Sequence, residues 1–369
     1  MDRLSDLLSG EFTKKSLRGI YISTIIVVAL LAVIILLTGL KSMSVQASAI
    51  NVGLIINGDM TENGWNWQSI QGLLLAESEF GVIGTVYTST DPSEIEPDVQ
   101  QCALDGNDLC IGVSFMTTEA ISNSAPVFTN TKFTNIDGWY ENYPPNLRAV
   151  GFSSQDVGYL AGTLAALMSQ SDTIGAVCGM EIPPVIAFTE GYSNGAHCAN
   201  PAVTTIISYT DTFVDPELGA QLARDMIAQG TDVVFGVGGL TGDGAILTAT
   251  QSGVWAIGVD TDQYFTLFMS GTVPGSNYLL TSAMKRLDNV VFLTISDVVS
   301  GMFTPGIVWY GLEEDAMGLA PFHETDASIP LDVRTKLERV RRAIIGGIVD
   351  PSDEPCLVIY QQYLPLTNR

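Results

Sequence analysis

Two carboxylates one residue apart, Asp260 and Asp262, lie in the segment Gly258-Val259-Asp260-Thr261-Asp262-Gln263. Such a pair has the chemistry for general acid and base work, but no nucleophile with an adjacent base accompanies it. A second segment, Gly236-x-Gly238-Gly239-Leu240-Thr241-Gly242, follows a strand-like run and precedes a helical one, as a dinucleotide loop would. Its spacing fails, because G-x-G-x-x-G from Gly236 requires glycine where Thr241 stands, and Asp260 fits the acidic position only loosely. A nucleotide-cofactor enzyme is therefore the weakest reading. Five cysteines (Cys102, Cys110, Cys178, Cys198, Cys356) and two histidines (His197, His323) lack zinc spacing, so neither metal nor cofactor is expected. After residue 50 the only lysines are Lys132, Lys285 and Lys336. Apart from Lys285-Arg286 no basic cluster falls on a loop, which argues against phosphorylated ligands.

The elements that must hold these residues alternate along the chain. Strands are expected at Asn51–Ile56, Val82–Tyr87, Asp108–Ser114, Ala125–Phe128, Ala149–Phe152, Thr173–Cys178, Thr204–Tyr209, Val233–Val237 and Trp255–Val259. Helices are expected at Trp65–Ser78, Pro92–Leu104, Asp156–Met168, Val185–Cys198, Pro216–Gln229 and Ala245–Ser252. Short strands alternating with longer helices mean βαβ units and parallel sheets. There are too many units for one sheet, so the expected fold class is α/β with two doubly wound parallel-sheet lobes. Ligands of open α/β sheets sit beyond the carboxyl ends of the strands. That rule nominates the loops Asn57–Trp67, Ser114–Thr118, Gly179–Pro184, Thr210–Asp215, Gly236–Gly244 and Asp260–Tyr264, which join aromatic rings to carboxyl and amide groups.

The run Ile20–Leu40 is apolar and long enough to cross a bilayer as one helix. Lys14, Lys15 and Arg18 precede it, which puts residues 1–19 in the cytoplasm and everything past the 41–50 linker outside. The run reads as a retained anchor, or as a signal sequence cut at Ala47-Ser48-Ala49. The exported part holds every cysteine, in surroundings where disulfides persist. Cys102 and Cys110 flank the turn-like Asp105-Gly106-Asn107 and are expected to pair. Cys178 with Cys198 is a second, weaker pairing, which leaves Cys356 over. A net charge of −24 makes nucleic acid and anionic headgroups poor partners for the surface.

Several segments resemble the basic membrane protein family of substrate-binding proteins, which includes purine-nucleoside receptors. They are Val52-Gly53-Leu54-Ile55-Ile56-Asn57 with Gly64-Trp65-Asn66 and Gln71-Gly72-Leu73; Gly158-Tyr159-Leu160-Ala161-Gly162; and Gly179-Met180-x-Ile182-Pro183 with Phe188, Gly191-Tyr192 and Gly195. Phe213-Val214-Asp215-Pro216, Gly258 to Gln263 and Leu280 to Asp288 complete the set in the family's order. The resemblance implies a type I periplasmic-binding fold over residues 51–369. One lobe would take about 51–158 and 284–312, the other about 159–283 and 313–369, with a ligand cleft between them. It also implies a nucleoside ligand, an ABC importer permease as partner, and a role in delivering the one to the other. A membrane-fixed sensor of the same fold is the alternative. By the same resemblance Trp65 and Phe213 would sandwich the base, Asn57, Asn66 and Gly238 would line the site, and Asp260 and Lys285 would hold the ribose hydroxyls. Asp137 and Asp262 are further acidic residues for that site. The family has an aspartate where this chain has Asn57, and the following loop is one residue shorter, with Asp59 or Glu62 available to compensate.

Overall fold

The computed structural model describes residues 49–58, 60 and 64–352. The expected span at 20–40, the residues Asp59 and Glu62, and Cys356 lie outside them. Among the described residues no helix is long and apolar enough to cross a membrane.

Among the described residues, twelve strands form two sheets. The first holds β1 (Asn51–Asn57), β2 (Ile83–Ser89), β3 (Leu109–Val113), β4 (Lys132–Ile136), β5 (Leu147–Phe152) and β11 (Gly306–Tyr310), in the order β11-β5-β4-β3-β1-β2. The second holds β6 (Thr173–Cys178), β7 (Thr204–Tyr209), β8 (Val233–Val237), β9 (Trp255–Asp260), β10 (Leu279–Lys285) and β12 (Met317–Leu319), in the order β12-β10-β9-β8-β6-β7. Both sheets thus repeat one plan, which makes β4 and β9 equivalent, and β5 and β10. All pairings are parallel except β12 against β10. Central strands such as β3 and β8 are buried along their whole length, as sheets covered on both faces require.

The chain passes between the sheets three times. After β5 it enters α4 (Ser154–Met168), which packs on α5 (Pro183–Ala199) beside the second sheet. After β10 it enters α9 (Leu287–Val299), which packs on α1 (Trp65–Phe80) beside the first. It then returns from β11 to β12. One hydrophobic cluster follows these crossings, from Leu54 of β1 through Leu160 of α4 to Phe235 of β8. The glycine-rich motifs explain the α4–α5 contact. A Cβ on Gly162 would stand 1.8 Å from the Tyr192 carbonyl oxygen, and one on Gly195 would stand 2.0 Å from that of Tyr159. The two backbones touch directly, so nothing larger than glycine fits.

Three expectations need correction. Ala125–Phe128 is a turn, not a strand: Pro126 has no N–H for a ladder, and Asn146 binds the carbonyls of Ala125, Phe128 and Thr131. The strand of that unit is β4. The helix expected from Ala245 starts at Gly239, as α7 (Gly239–Gln251). Its early glycines are contact points rather than loop residues: a Cβ on Gly244 would lie 1.9 Å from the carbonyl oxygen of Pro216, which opens α6 (Pro216–Ala228). Cys178 and Cys198 do not pair. Cys178 is a buried free thiol at the end of β6, whereas Cys198 is disulfide-bonded. Cys102 and Cys110 are linked, with Cα atoms 6.2 Å apart, which ties α2 (Ile95–Leu104) to β3.

Candidate ligand-binding site

Lys285 ends β10, and its side chain is only 5% exposed. Its ammonium lies 2.9 Å from Asp137 Oδ2 and 3.8 Å from Asp260 Oδ1. Asp137 directly follows β4 of the first sheet, and Asp260 is the last residue of the equivalent strand β9 in the second. Both carboxylates stand on left-handed backbone, with φ of 62° and 64°, a conformation Asp tolerates better than most residues. The ion group therefore joins matching strand ends of the two sheets. The Lys285 Nζ also faces three rings: Phe152 at 5.1 Å, Trp65 at 5.5 Å and Phe188 at 5.9 Å from their centroids. Phe152 ends β5, the counterpart of the strand that carries Lys285.

Burial alone would lower the Lys285 pKa, but Asp137 and Asp260 outweigh it and hold the ammonium above the usual lysine range. Burial raises the Asp260 pKa; Lys285 opposes that shift, while Asp137 adds to it. Behind Asp260, the Gln263 amide donates to Asp243 Oδ1 at 2.5 Å and accepts from the Val259 N–H at 3.1 Å. Burial pushes the Asp243 carboxyl up to about 6, against the Gln263 bond and with a contribution from Asp260. The pocket is thus rich in acceptors around one buried cation.

The other expected residues fall in three places. Trp65 opens α1 and contributes its ring to Lys285; its buried indole N–H has no hydrogen-bond acceptor among the described residues. The neighbouring Asn66 donates to the Asn57 carbonyl oxygen at 2.7 Å, which couples the start of α1 to the end of β1. Phe213 belongs to the second sheet's lobe, and its ring lies over Gly179, where a Cβ would come within 2.2 Å of it. Gly238 packs backbone on backbone: a Cβ there would meet the Gly179 nitrogen at 2.6 Å. Asp262 accepts from the Tyr264 N–H at the start of α8 (Gln263–Thr266) and meets His323 Nε2 at 2.8 Å. Asp260 and Asp262 therefore serve separate partners and do not form an acid–base pair.

Phe152 and Phe188 had no assigned role in the sequence. Phe152 was reachable, because it ends a strand whose carboxyl end the positional rule should have included. Phe188 lies within α5, and nothing in its local sequence separates it from a core residue.

Residues 49–353 match the family described as PnrA-like ABC transporter substrate-binding proteins. Basic membrane protein D of Borreliella burgdorferi is 28% identical over 310 residues, covering 82% of this chain and 88% of that protein. An uncharacterized lipoprotein of Pyrococcus horikoshii is 30% identical over 288 residues, covering 74% and 69%. Among solved structures, an ABC transporter system solute-binding protein from Aeropyrum pernix superposes with a TM-score of 0.66 at 26% identity, over 82% of this chain and 92% of that one. A transcriptional activator of the comK gene from Bacillus halodurans shares the fold, with a TM-score of 0.67 at 20% identity over 81% and 99%. The architecture is that of solute-binding proteins, and the chain belongs to the family of PnrA-like ABC transporter substrate-binding proteins.

Proposed function

We propose that this protein is an extracytoplasmic receptor that closes on a nucleoside between its two lobes and hands it to an ABC importer. One observation carries the reading: a buried ammonium, two carboxylates from opposite lobes, and aromatic rings converge on one point. A ribose diol both donates and accepts, so it fits beside carboxylates and an ammonium together. A flat base fits against Trp65, whose indole N–H can give a hydrogen bond to a ligand oxygen. Phe213 on the opposite lobe is positioned by Gly179 to offer the second face. Asp260 and Lys285 hold the hydroxyls, Asp137 holds the Lys285 ammonium at 2.9 Å, and Gly238 stands at the edge of the site. The basic segment before Ile20–Leu40 supports attachment at the outer face of the membrane by a single N-terminal span.

The test uses the full chain purified in mild detergent. Released small molecules are identified by mass spectrometry after denaturation, and guanosine, inosine, adenosine and cytidine are titrated by calorimetry. A nucleoside among the released molecules and at least one saturable titration are expected. Four flat titrations with no released nucleoside would remove the ligand assignment and leave only the family.

A further inference from the structure

Cys198 is disulfide-bonded, and the other cysteines of the chain narrow its partner to one. Cys102 and Cys110 hold each other. Cys178 is a free thiol enclosed at the end of β6, where burial pushes it up to about 12. A thiol that yields so little thiolate takes poor part in disulfide exchange. Of the five cysteines, Cys356 remains.

The path of the chain leads there. Helix α10 (Leu331–Ile345) packs on α4, which packs on α5. After α10 the chain passes the buried Val349 and turns at Asp350–Ser352. Asp350 Oδ1 fixes the turn, accepting from the Ser352 N–H at 2.9 Å and from its hydroxyl at 2.6 Å. The turn sets Pro351 against α5, where the Asn194 amide donates to the Pro351 carbonyl oxygen at 2.9 Å. Asn194 and Cys198 are four residues apart on α5, so they share a face and lie about 6 Å apart along its axis. Cys356 follows Pro351 by five residues, a reach of up to about 17 Å. A disulfide needs its two Cα atoms within about 7 Å. The chain is therefore long enough to bring Cys356 onto the face that Asn194 and Cys198 share.

We propose that Cys198 and Cys356 form a disulfide that fastens the C-terminal segment to α5 of the second lobe. It takes the place of the Cys178–Cys198 pairing that the sequence suggested. It rests on the extracytoplasmic placement proposed above and on no particular ligand. The oxidant is an extracytoplasmic disulfide, carried by a protein or a small thiol compound. One cysteine thiolate attacks a sulfur of that disulfide and expels a thiol. The other thiolate then attacks the resulting mixed disulfide at this protein's sulfur. The Cys198–Cys356 bond forms, and the oxidant leaves as two thiols, having taken up two electrons and two protons. The consequence is mechanical. Helix α5 carries Phe188, one of the rings around Lys285, and Gly195, where its backbone meets α4. The link braces the last turn of that helix, and both of its ends belong to the second lobe.

Peptide mapping tests this on the full chain, purified from membranes in mild detergent without reductant. Free thiols are alkylated in denaturant, and the chain is cut after Lys, Arg and Glu. Fragment Gly191–Glu217 is expected joined to Ala343–Arg369, beside an alkylated Cys178 and a linked Cys102–Cys110. Cys356→Ser should leave Cys198 open to alkylation and lower the melting temperature by about 5 °C. In excess reductant the variant and wild type should melt together. Alkylation of both Cys198 and Cys356 while Cys102 and Cys110 stay linked overturns this inference alone. So does a link from Cys198 to any other cysteine, in the same chain or in a second copy. Alkylation of all five overturns the extracytoplasmic placement together with it.

Discussion

At the residue scale, the pocket is an ion triad whose members are worth little apart. Lys285 is almost fully enclosed, and removing one carboxylate leaves its charge with a single partner. Breaking a buried pair in this way costs about 3–5 kcal/mol in general; the second carboxylate here should reduce that. Asp260→Ala should therefore weaken nucleoside binding by at least tenfold, and Asp137→Asn should do so less, because a neutral amide can still accept from the ammonium. Trp65→Ala removes one ring face and should cost roughly 1–3 kcal/mol of binding by analogy with base stacking on aromatic side chains. Lys132→Ala is the control, since Lys132 starts β4 at the end opposite Asp137. Calorimetric affinities in the reverse order, or a Lys132 effect as large as the Asp260 effect, would refute the assignment. The family resemblance named Lys285, one of three lysines after residue 50, and Asp260, just past an expected strand, for this site. Asp137 was named only as a further acidic residue by the same resemblance, and nothing disclosed that Phe152 and Phe188 converge there, because they come from β5 and α5, which only the folded sheets bring together.

At the element scale, strands with mainly apolar, buried runs were legible: β6 and β8 have the bounds that their sequences imply. β10 was not read as a strand, because it buries Thr281 and Ser282 in its centre. Their hydroxyls are satisfied from outside the strand, Thr281 donating to the Ala320 carbonyl oxygen at 2.7 Å and Ser282 accepting from the Gln263 N–H at 3.1 Å. Glycine misled in the opposite direction at α7, where close packing resembles loop composition. The α4–α5 contact makes this testable. Gly162→Ala forces a methyl onto the Tyr192 carbonyl and should destabilise by about 1–3 kcal/mol or more, as overpacked cores do. Gly318→Ala, with nothing within 4 Å of the added carbon, should melt like wild type. Equal melting temperatures for the two variants would mean that α4 and α5 are not packed backbone to backbone.

At the scale of the whole molecule, a chain with net charge −24 gains stability from losing some negative charge, and two buried carboxyls add to that trend. Asp156 lies in the first turn of α4, next to the crossing from β5. Burial pushes its carboxyl up to about 6, helped by Asp350 and Glu314 and opposed by a bond from the Leu312 N–H. Asp243 is raised to about 6 by burial as well. A carboxyl with a folded-state pKa above its unfolded value holds its proton more tightly when folded. Stability from such a group is therefore present at low pH and falls as pH rises through the window from about 4 to about 6, by at most roughly 3 kcal/mol per group. The full chain in detergent should melt higher at pH 5 than at pH 7. General charge repulsion alone predicts the same sign, so a variant must separate the two causes. Asp156→Asn removes one titrating group while changing the net charge by a single unit. It should melt above wild type at pH 7 and close to it at pH 4.5, flattening the slope. A parallel pair of curves, with the variant offset equally at every pH, would assign the slope to net charge and take Asp156 out of it.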